Sequence, residues 1–310
     1  MLMEFIDNLE GFKNIGVVLT VGFFDGVHVG HRFLINQLAE IAKAEGLQSA
    51  VLTFWPHPRI VLKEDYKPKL LNSYEEKFEL MKALPIDFCI RTEFSEAFSN
   101  YQAYDFMKLL KEKLNVKHLL VGYDHRFGKN REEGFDDYCV HGKALGIKVT
   151  QAQPLEENGG MVSSSYIRDL LGVGEVALAS KCLGYEYKIH GKVVCGQKKG
   201  REIGFPTANV SLSCPDKCLP KKGVYAATVV CGDIACNAML YIGNRPTVDS
   251  EGDLSVEAHL IGFDGDLYGK DIEISVISRV REQRKFNSME DLKDQIVKDC
   301  EAAKDIFCKK

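Results

Sequence analysis

The chain has 310 residues, of which 45% are hydrophobic and 27% are charged. Because a typical domain has ~150 residues, this length and this globular composition predict two folded domains rather than a disordered chain. The 40 basic and 44 acidic residues give a net charge of −4, which argues against a nucleic-acid-binding protein with an overall basic surface.

Three features of the sequence bear on location. The longest apolar stretch, Ile15 to Phe24, is shorter than the ~18 residues of a membrane-spanning helix. The N-terminal segment contains Glu4, Asp7 and Glu10 and no basic residue, which is unlike a secretory signal. Ten cysteines occur without a C-x-x-C pair, which disfavours a disulfide framework and a zinc ribbon. We therefore expect a cytoplasmic protein with reduced thiols and no membrane partner.

Short apolar runs alternate with longer amphipathic segments from Val17 to about Leu171, which is typical of strands joined by helical crossovers. The predicted strands are Val17 to Phe23, Ser49 to Phe54, Ile86 to Ile90, His118 to Val121 and Ile147 to Ala152. One helix is predicted to begin near Ser73, where Glu76 completes a capping box, and another to run from about Ala103 to Leu114. The first half is therefore predicted to be a doubly wound α/β domain with a parallel sheet.

The second half follows a different period after Gly184. Its apolar runs are separated by turn dipeptides, including Gly232-Asp233 and Asp264-Gly265, which are hairpin signals. The predicted strands are Ile189 to Cys195, Val224 to Cys231, Ile234 to Ile242, Val256 to Phe263 and Ile272 to Val280. This half is predicted to be mainly β, as an antiparallel sheet or a small barrel.

A terminal helix is predicted to close the chain, with its start marked by Ser288 and Asp291. Its apolar face consists of Leu292, Ile296 and Cys300. We place the domain boundary between residues 183 and 184, within the segment 177–187. The two halves show no internal repeat, so we expect two different folds over residues 1–183 and 184–310.

A glycine-rich segment follows the first predicted strand and precedes a helix that is predicted to begin at about His31. It reads Gly22-Phe23-Phe24-Asp25-Gly26-Val27-His28-Val29-Gly30-His31. A helix N-terminus offers unpaired N–H groups, and glycines allow a phosphate chain to approach the backbone. The spacing matches neither the G-x-G-x-x-G motif nor the P-loop. This segment is therefore predicted to bind a polyphosphate in another way.

Two histidines in this segment, His28 and His31, lie three residues apart on the first turn of the predicted helix. Both imidazoles could donate hydrogen bonds to a phosphate under in-line attack, where positioning and charge stabilisation supply most of the catalysis. Such a reaction needs no covalent nucleophile. The structural alternative is that the rings cap the helix or bind a structural metal.

The segment resembles the H-x-G-H signature of the nucleotidyltransferase superfamily, whose members transfer AMP from ATP and release pyrophosphate. Three later segments resemble, in order and spacing, the motifs of the adenylyltransferase module of bacterial bifunctional riboflavin kinase/FAD synthetases. They are Thr53-Phe54-Trp55-Pro56-His57-Pro58, Gly122-Tyr123-Asp124-His125-Arg126-Phe127-Gly128 and Ser163-Ser164-Ser165-Tyr166-Ile167-Arg168. The resemblance implies a Rossmann-like nucleotidyltransferase domain over residues 1–183.

The resemblance also implies site residues in this domain. Those implied as catalytic are His28, His31 and Arg168; those for ATP are Gly22, Phe23, Asp25, Gly26, Gly30, Ser164 and Ser165; those for the flavin are Asp124, Arg126 and Phe127. Physically, serines ahead of the helix of residues 167–171 can hold phosphates, and Arg168 can neutralise the leaving pyrophosphate. Phe127 offers a face for stacking. A plain N-cap serine and a buried turn with a core aromatic are the structural alternatives.

A second run of glycines and cations lies in the other half. It comprises Gly191-Lys192-Val193-Val194-Cys195-Gly196 and Gly200-Arg201-Glu202-Ile203-Gly204-Phe205-Pro206-Thr207-Ala208-Asn209. Thr207 and Asn209 are two apart in an extended segment and are predicted to project to the same face. Their neutral oxygens suit Mg²⁺ only if ATP phosphates complete the coordination shell, so the metal is expected to arrive with the nucleotide.

This run resembles the G-F-P-T-A-N signature of the riboflavin kinase family. The later matching segments are Gly223-Val224-Tyr225-Ala226, Ile242-Gly243-Asn244-Arg245-Pro246-Thr247, Val256-Glu257-Ala258-His259-Leu260 and Asp266-Leu267-Tyr268-Gly269. The resemblance implies a small β-barrel with a terminal helix over residues 184–310. One departure is Tyr185, where the family commonly has an arginine.

By this resemblance Glu257 is the base that deprotonates the ribityl hydroxyl. The other implied contacts are Thr207 and Asn209 with the metal, Gly196 and Arg201 with ATP, and Arg281 and Arg284 with the flavin. The alternative for Glu257 is a solvated carboxylate on the outer face of a strand. For the two arginines the alternative is an ordinary exposed basic patch.

Together the motifs indicate a two-step enzyme of flavin cofactor synthesis that uses ATP and Mg²⁺ and acts on riboflavin, FMN and FAD. One alternative is a single working activity with a degenerate second domain. Another is a flavin- or nucleotide-binding regulator, or a barrel that binds single-stranded nucleic acid. The region Val224 to Ile242 contains no lysine or arginine, which disfavours nucleic acid as a partner. Whether the chain forms a homo-oligomer is left open.

Overall fold

The computed structural model of the chain describes residues 3–12, 15–62, 69–155, 162–196, 199–202, 204–244 and 254–308. Contacts between Cα atoms divide the chain into two compact units. The first unit comprises Met1–Pro68 and Asn72–Ser163, and the second comprises Lys69–Leu71 and Ser164–Lys310. Each unit has its own sheet and core.

The first unit is a six-stranded parallel sheet in the order β1-β4-β3-β2-β5-β6. Its strands are β1 (Glu4–Asp7), β2 (Val17–Val21), β3 (Gln48–Trp55), β4 (Phe88–Glu93), β5 (Val116–Val121) and β6 (Lys148–Gln151). Its α-helices are α1 (Val29–Glu45), α2 (Pro58–Val61), α3 (Tyr74–Lys82), α4 (Glu96–Ser99), α5 (Ala103–Leu114) and α6 (Phe135–Leu145). Short 3-10 turns span Leu9–Gly11 and Lys129–Arg131. The predicted doubly wound α/β architecture is confirmed.

Both faces of this sheet are buried, as the continuously apolar strands predicted. One face carries the side chains of Leu19, Leu52, Ile90, Phe106, Leu110 and Tyr138, from the strands and from α5 and α6. The opposite face carries Val18, Val51, Leu120, Ile35, Leu38 and Met81, from the strands and from α1 and α3. Neighbouring residues of β2 therefore pack into different cores.

The helix predictions in this unit are confirmed more closely than the strand ends. Ser73 caps α3, and both bonds of the predicted capping box are present. β2 ends at Val21, before the predicted end, because the chain turns through Phe24 at a φ of +56°. β4 begins at Phe88 rather than at Ile86, whose N–H donates to a carbonyl in the turn after α3.

The second unit is a closed antiparallel barrel in the order β10-β11-β8-β7-β12-β9. Its strands are β7 (Tyr187–Val194), β8 (Ala208–Leu212), β9 (Gly223–Cys231), β10 (Ile234–Asn244), β11 (Leu254–Leu260) and β12 (Asp271–Glu282). Its helices are α7 (Ser164–Val173), α8 (Val176–Leu183), α9 (Lys199–Glu202) and α10 (Met289–Cys308). The predicted barrel and terminal helix are confirmed.

One of the two predicted hairpins is wrong. Gly232-Asp233 does join β9 to β10, with Gly232 at a φ of +59°. Asp264-Gly265 joins β11 to β12, but these strands are not neighbours in the barrel, because β11 pairs with β10 and β8. β11 also ends at Leu260, so the residues around Asp264 form a longer loop.

α7 and α8 pack with the barrel rather than with the parallel sheet. The N–H of Lys221 donates to the carbonyl of Leu171 at 2.8 Å, and the N–H of Tyr187 donates to Ser180 Oγ at 3.2 Å. Leu183, in the last turn of α8, is fully buried. The main segment of the second unit thus begins at Ser164, while the functional boundary between residues 183 and 184 stays a prediction.

None of the helices in the described ranges is long and apolar enough to cross a membrane. The ten cysteines are all free thiols, with burial that ranges from fully buried to exposed. The reduced state of these thiols stays a prediction, and the described cores consist of packed apolar side chains.

A fragment of residues 164–310 should be more stable than one of residues 184–310. The shorter fragment loses α7 and α8, which exposes barrel surface that Leu171, Val176 and Leu183 otherwise cover. At ~1.5–3 kcal/mol for each of these three buried aliphatic side chains, we expect the free energy of unfolding to fall by at least about 4.5 kcal/mol. Urea denaturation followed by circular dichroism measures this difference. Equal midpoints for the two fragments would show that the helices do not stabilise the barrel.

Candidate active sites

The turn between β2 and α1 has a backbone that most residues avoid. Phe24, Gly26 and Val27 have φ values of +56°, +84° and +37°. Positive φ is uncommon for non-glycine residues and is a genuine outlier for a β-branched residue such as Val27, and such strain clusters at functional sites. The N–H of Gly22 donates to the carbonyl of Leu52 in β3 at 3.0 Å, which anchors the start of the turn.

His28 and His31 form a stacked pair at the N-terminus of α1. His28 is the N-cap, and its Nδ1 accepts a hydrogen bond from the His31 N–H at 3.4 Å. The ring centroids are 3.6 Å apart with an interplanar angle of 20°. A Cβ at Gly30 would lie 3.2 Å from the His28 ring, so the glycine makes room for the ring. The capping alternative is thus correct for His28, and it brings the two imidazoles together.

The metal alternative finds no support in the described ranges, where no group of three or more His, Cys, Asp and Glu side chains is placed to hold an ion. His31 instead carries the features of a group that waits for a polar ligand. Its Nδ1 is buried without a hydrogen-bond partner. Burial first, and then the nearby His28, Lys77 and His125, hold the pKa of His31 well below its usual value, so the ring is neutral near pH 7.

His125 is a site residue to which the sequence reasoning gave no role. Its Nε2 is also buried without a hydrogen-bond partner. Burial lowers the pKa of His125 to about 4, with a smaller contribution from Arg131 that Asp124 opposes. Because an orphaned buried nitrogen costs free energy until a partner arrives, His31 and His125 are both suited to contact a polar ligand.

Lys77 is a second residue that the sequence reasoning missed. It is 3% exposed, and its Nζ donates to the carbonyl of Phe23 and to Thr53 Oγ1, at 3.0 Å each. The signal was present in the sequence, because Lys77 is four residues before the buried Met81 and therefore lies on the apolar face of α3. A lysine on the apolar face of a helix is predicted to be buried, and a buried charged group is a candidate site residue.

A cavity of about 550 Å³ opens in the first unit beside this turn. Its aromatic walls are Phe23, Phe54, Phe94, Phe98, Tyr101, Phe106 and Phe127, and its cations are Arg59, Arg126, Lys129 and Arg131. Val21 and Phe54, at or near the carboxyl ends of β2 and β3, place the cavity where open α/β sheets bind ligands. The combination of flat apolar walls and cations suits a planar aromatic ligand that carries a phosphate.

The predicted flavin residues are only partly brought together. Arg126 and Phe127 line the cavity, whereas Asp124 is exposed and does not. The ring of Phe127 is 8% exposed and lies against Tyr138 with centroids 4.0 Å apart, which favours the alternative of a buried turn with a core aromatic, and stacking on a flavin stays a prediction. Phe127 is thus a core aromatic that forms part of the wall.

The remaining residues predicted for AMP transfer fall into two places. Asp25 is buried in the first unit, and Ser164, Ser165 and Arg168 belong to the second unit. Asp25 is buried, and its Oδ1 accepts from the Asn72 N–H at 3.3 Å, which supports the turn rather than an exposed ATP contact. Ser164 and Ser165 form the first turn of α7 instead of preceding the helix, which begins earlier than predicted. Arg168 Nε donates to the carbonyl of Lys69 at 2.6 Å. Their phosphate-binding roles stay predictions.

Glu257 lies in the second unit within a hydrogen-bonded group. Its Oε2 accepts from Thr207 Oγ1 at 3.2 Å, and its Oε1 accepts from Ser255 Oγ at 2.9 Å. β11 pairs with β8 in a register that sets Glu257 opposite Asn209. The side chain is half-buried and accepts hydrogen bonds from two hydroxyls, which disfavours the alternative of a freely solvated carboxylate, while its role as the base stays a prediction.

The neighbouring groups supply the oxygens expected for a magnesium site. Asn209 is buried, and any Cβ at residue 196 would collide with its side-chain amide, so Gly196 allows this close approach. The predicted metal ligands are the Thr207 hydroxyl and the side-chain carbonyl of Asn209, and the Glu257 carboxylate lies next to them. Hard oxygen donors are those that Mg²⁺ prefers, so these residues fit the ion.

A cavity of about 480 Å³ lies beside these residues. Arg201 and Thr207 both line it, as their predicted contacts with ATP and metal require. The cavity is also lined by residues of the loop between β11 and β12, which are Phe263, Asp264, Gly265, Asp266, Leu267 and Tyr268. The dipeptide that was predicted as a hairpin therefore forms part of a binding cavity.

The two arginines predicted to border the flavin are tied to α10. The Nε of Arg281 donates to both carboxylate oxygens of Asp299, at 2.9 Å each, and Asp299 is 2% exposed. Arg284 bonds to Gln295, and both guanidinium groups lie over the ring of Phe286. These arginines are thus more than an exposed basic patch, while their contact with a flavin stays a prediction.

Comparisons with known proteins match two different family models to two parts of the chain. The FAD synthetase family model matches residues 12–166, and the riboflavin kinase family model matches residues 183–307. A bifunctional riboflavin kinase/FMN adenylyltransferase of Escherichia coli (strain K12) is 37% identical over 308 residues, which cover 99% of this chain and 97% of the relative. A relative of the same name from Bacillus subtilis (strain 168) is 38% identical over 293 residues, with 92% and 91% coverage.

A solved structure is similar over nearly the whole chain. It is described as a macrolide-efflux protein from Streptococcus pneumoniae, with a TM-score of 0.86 and 29% sequence identity, and covers 98% of this chain and 99% of that one. The sequence relatives and both family models, in contrast, carry the names of flavin enzymes. On this similarity over both units, the chain belongs to the family of bifunctional riboflavin kinase/FMN adenylyltransferases.

Proposed function

We propose that the barrel unit phosphorylates riboflavin to FMN with ATP and that the parallel-sheet unit joins FMN to AMP from a second ATP. The observation that supports this division is that each unit holds its own cavity beside its own set of polar residues. His28 and His31 lie in the first unit, and Glu257 and Thr207 lie in the second. Two assembled sites favour two working activities over a degenerate domain.

In the adenylylation reaction, which belongs to the parallel-sheet unit, a phosphate oxygen of FMN attacks the α-phosphorus of ATP. A new P–O bond forms while the bond to the β-phosphate oxygen breaks, and pyrophosphate leaves. His28 and His31 stabilise the charge on the transferring phosphoryl group through ring N–H donors. A proton on the buried Nδ1 of His31 has no acceptor among the described residues, and a phosphate oxygen supplies one. No covalent intermediate with the protein is needed.

The aromatic cavity of the first unit holds the flavin of FMN in this proposal. Its phenylalanine and tyrosine walls bury the apolar ring system, and its arginine and lysine side chains attract the phosphate. The neutral ring of His125 offers a hydrogen bond inside this cavity. The flavin is thus recognised by both its shape and its charge.

In the kinase reaction, which belongs to the barrel unit, the terminal ribityl hydroxyl of riboflavin attacks the γ-phosphorus of ATP, and ADP leaves. Glu257 accepts the hydroxyl proton, for which its carboxylate is already positioned by Thr207 and Ser255. Thr207 and Asn209 would hold a Mg²⁺ ion, which when bound with ATP neutralises phosphate charge. Arg201 in the wall of the cavity is placed to bind ATP phosphates.

Replacement of His31 by alanine should abolish FMN adenylylation and spare riboflavin phosphorylation, because the ring serves only the first unit. Loss of one transition-state donor typically costs about 10²- to 10³-fold, and His28→Ala should have a weaker effect. The measurement is separate quantification of FMN and FAD by chromatography. His141→Ala is the control, since that ring is paired with Glu133 and lines neither cavity. Equal loss of both activities in folded His31→Ala would contradict the assignment.

Replacement of Glu257 by glutamine should slow riboflavin phosphorylation and leave the adenylylation of added FMN unchanged. The amide keeps the shape of the side chain but cannot accept the hydroxyl proton, so the rate should fall about 10²- to 10⁴-fold. Glu273→Gln is the matched control in the same barrel, where the carboxylate pairs with Lys188 and His190. A Glu257→Gln rate within a few-fold of the unmodified chain would show that this carboxylate is not the base.

A further inference from the structure

Lys77 joins the segment that follows β2 to β3. Its Nζ donates to the carbonyl of Phe23 and to Thr53 Oγ1, and Thr53 Oγ1 itself donates to the same carbonyl at 3.1 Å. Phe23 lies just beyond the end of β2, and Thr53 is within β3. One ammonium group therefore fixes the backbone at the entrance of the turn that leads to His28.

The same amine also holds the side chain of Phe23. Nζ lies 4.1 Å from the centroid of the Phe23 ring, within the range of a cation–π interaction. The ring contacts Trp55 on another side, with a centroid separation of 6.5 Å, and meets the edge of His57 at 4.3 Å. Phe23 lines the flavin cavity, so Lys77 fixes both its backbone and its ring.

The burial of Lys77 costs the folded state free energy, because the ammonium group loses its contact with water. Burial lowers the pKa of Lys77 to about 8, with Asp25 and Cys89 as the nearby groups that oppose the shift. Neighbouring positions on the same side of α3 are apolar, and Met81 on that side is fully buried. An apolar residue at position 77 would avoid the cost of desolvating a charge. The stability of the core alone therefore does not explain an ammonium group here.

The charge of Lys77 acts on the catalytic histidine. His31 is surrounded by the charged or titratable groups His28, Lys77 and His125, all of which disfavour a positive charge on its ring. Because the pKa of Lys77 is about 8, most Lys77 side chains carry a positive charge at pH 7. This charge favours the neutral form of His31, whose ring lies stacked on that of His28.

We propose that Lys77 is a positioning residue for FMN adenylylation, whose buried ammonium group fastens the Phe23 carbonyl to Thr53, holds the Phe23 ring and places a positive charge that acts on His31. The inference rests on the proposed function of the first unit. It extends that proposal to a residue of α3 outside the glycine-rich segment. Lys77 acts through Phe23 and His31 rather than on the reacting atoms.

The test uses the full chain with Lys77→Met, which keeps the length of the side chain and removes its charge. FMN adenylylation should fall about 10- to 100-fold, as expected when reacting groups are misplaced. Riboflavin phosphorylation in the same sample should stay within about twofold. In a ring ¹⁵N titration by NMR, the midpoint of His31 should rise by about 0.5 pH or more, because a neighbouring cation has been removed. The His31→Gln chain assigns the resonance.

Two variants separate charge from structure. Lys77→Arg keeps the positive charge, so the His31 midpoint should stay at the unmodified value even if the larger group lowers the rate. Lys82→Met removes a lysine from the same helix, where the side chain is exposed, pairs with Glu79 and lies over Phe78. This control should change neither the rate nor the midpoint.

Two results would overturn the inference while the proposed function stands. The first is that the unmodified chain makes FAD and that the Lys77→Met chain adenylylates FMN at the same rate. The second is a slower Lys77→Met chain in which the His31 midpoint does not move, since that is the behaviour of a merely structural residue. If the unmodified chain does not adenylylate FMN, the proposed function fails first and the inference fails with it.

Discussion

His28 caps α1 with an imidazole ring, and the arrangement of the first active site depends on this hydrogen bond. A serine or aspartate at this position would satisfy the same N–H group but would bring no ring nitrogen to the helix end. Because Nδ1 of His28 accepts from the His31 N–H, the two rings stack above the first turn. Gly30 leaves the space for them, and the positive φ values of Phe24 and Val27 bring the chain from β2 into this position.

The second unit depends on a different constraint, which is strand register. β8 and β11 are held so that Asn209 faces Glu257, and the hydroxyl of Thr207 reaches the same carboxylate. A shift of one residue would turn each side chain to the opposite face and disperse the oxygen donors. Gly196 supports the arrangement from β7's side, because only a residue without a Cβ can approach the Asn209 amide so closely. The barrel thus builds its site from backbone pairing rather than from a helix end.

Much of the fold follows from local patterns in the sequence. The capping box of Ser73 and Glu76 and the apolar periodicity of α5 predict these helices, because their causes lie within a few residues of the chain. The hairpin at Asp264-Gly265 was predicted wrongly, since the turn signal is local but the neighbours of β11 are set by barrel closure. The first site also combines local and distant causes. The motif predicts His28 and His31, whereas the packing of Tyr138 from α6 against the Phe127 ring depends on the tertiary fold. Lys77 and His125 were missed as site residues because their burial arises only when distant segments pack.

We propose that the two reactions occur at independent sites within one chain. It is tested most directly by mixing His31→Ala and Glu257→Gln chains and supplying riboflavin, ATP and Mg²⁺. The account predicts that neither variant alone makes appreciable FAD from riboflavin, and that the mixture does so after a lag, because one variant releases the FMN that the other adenylylates. A mixture that forms FMN but no more FAD than the separate variants would contradict independent sites.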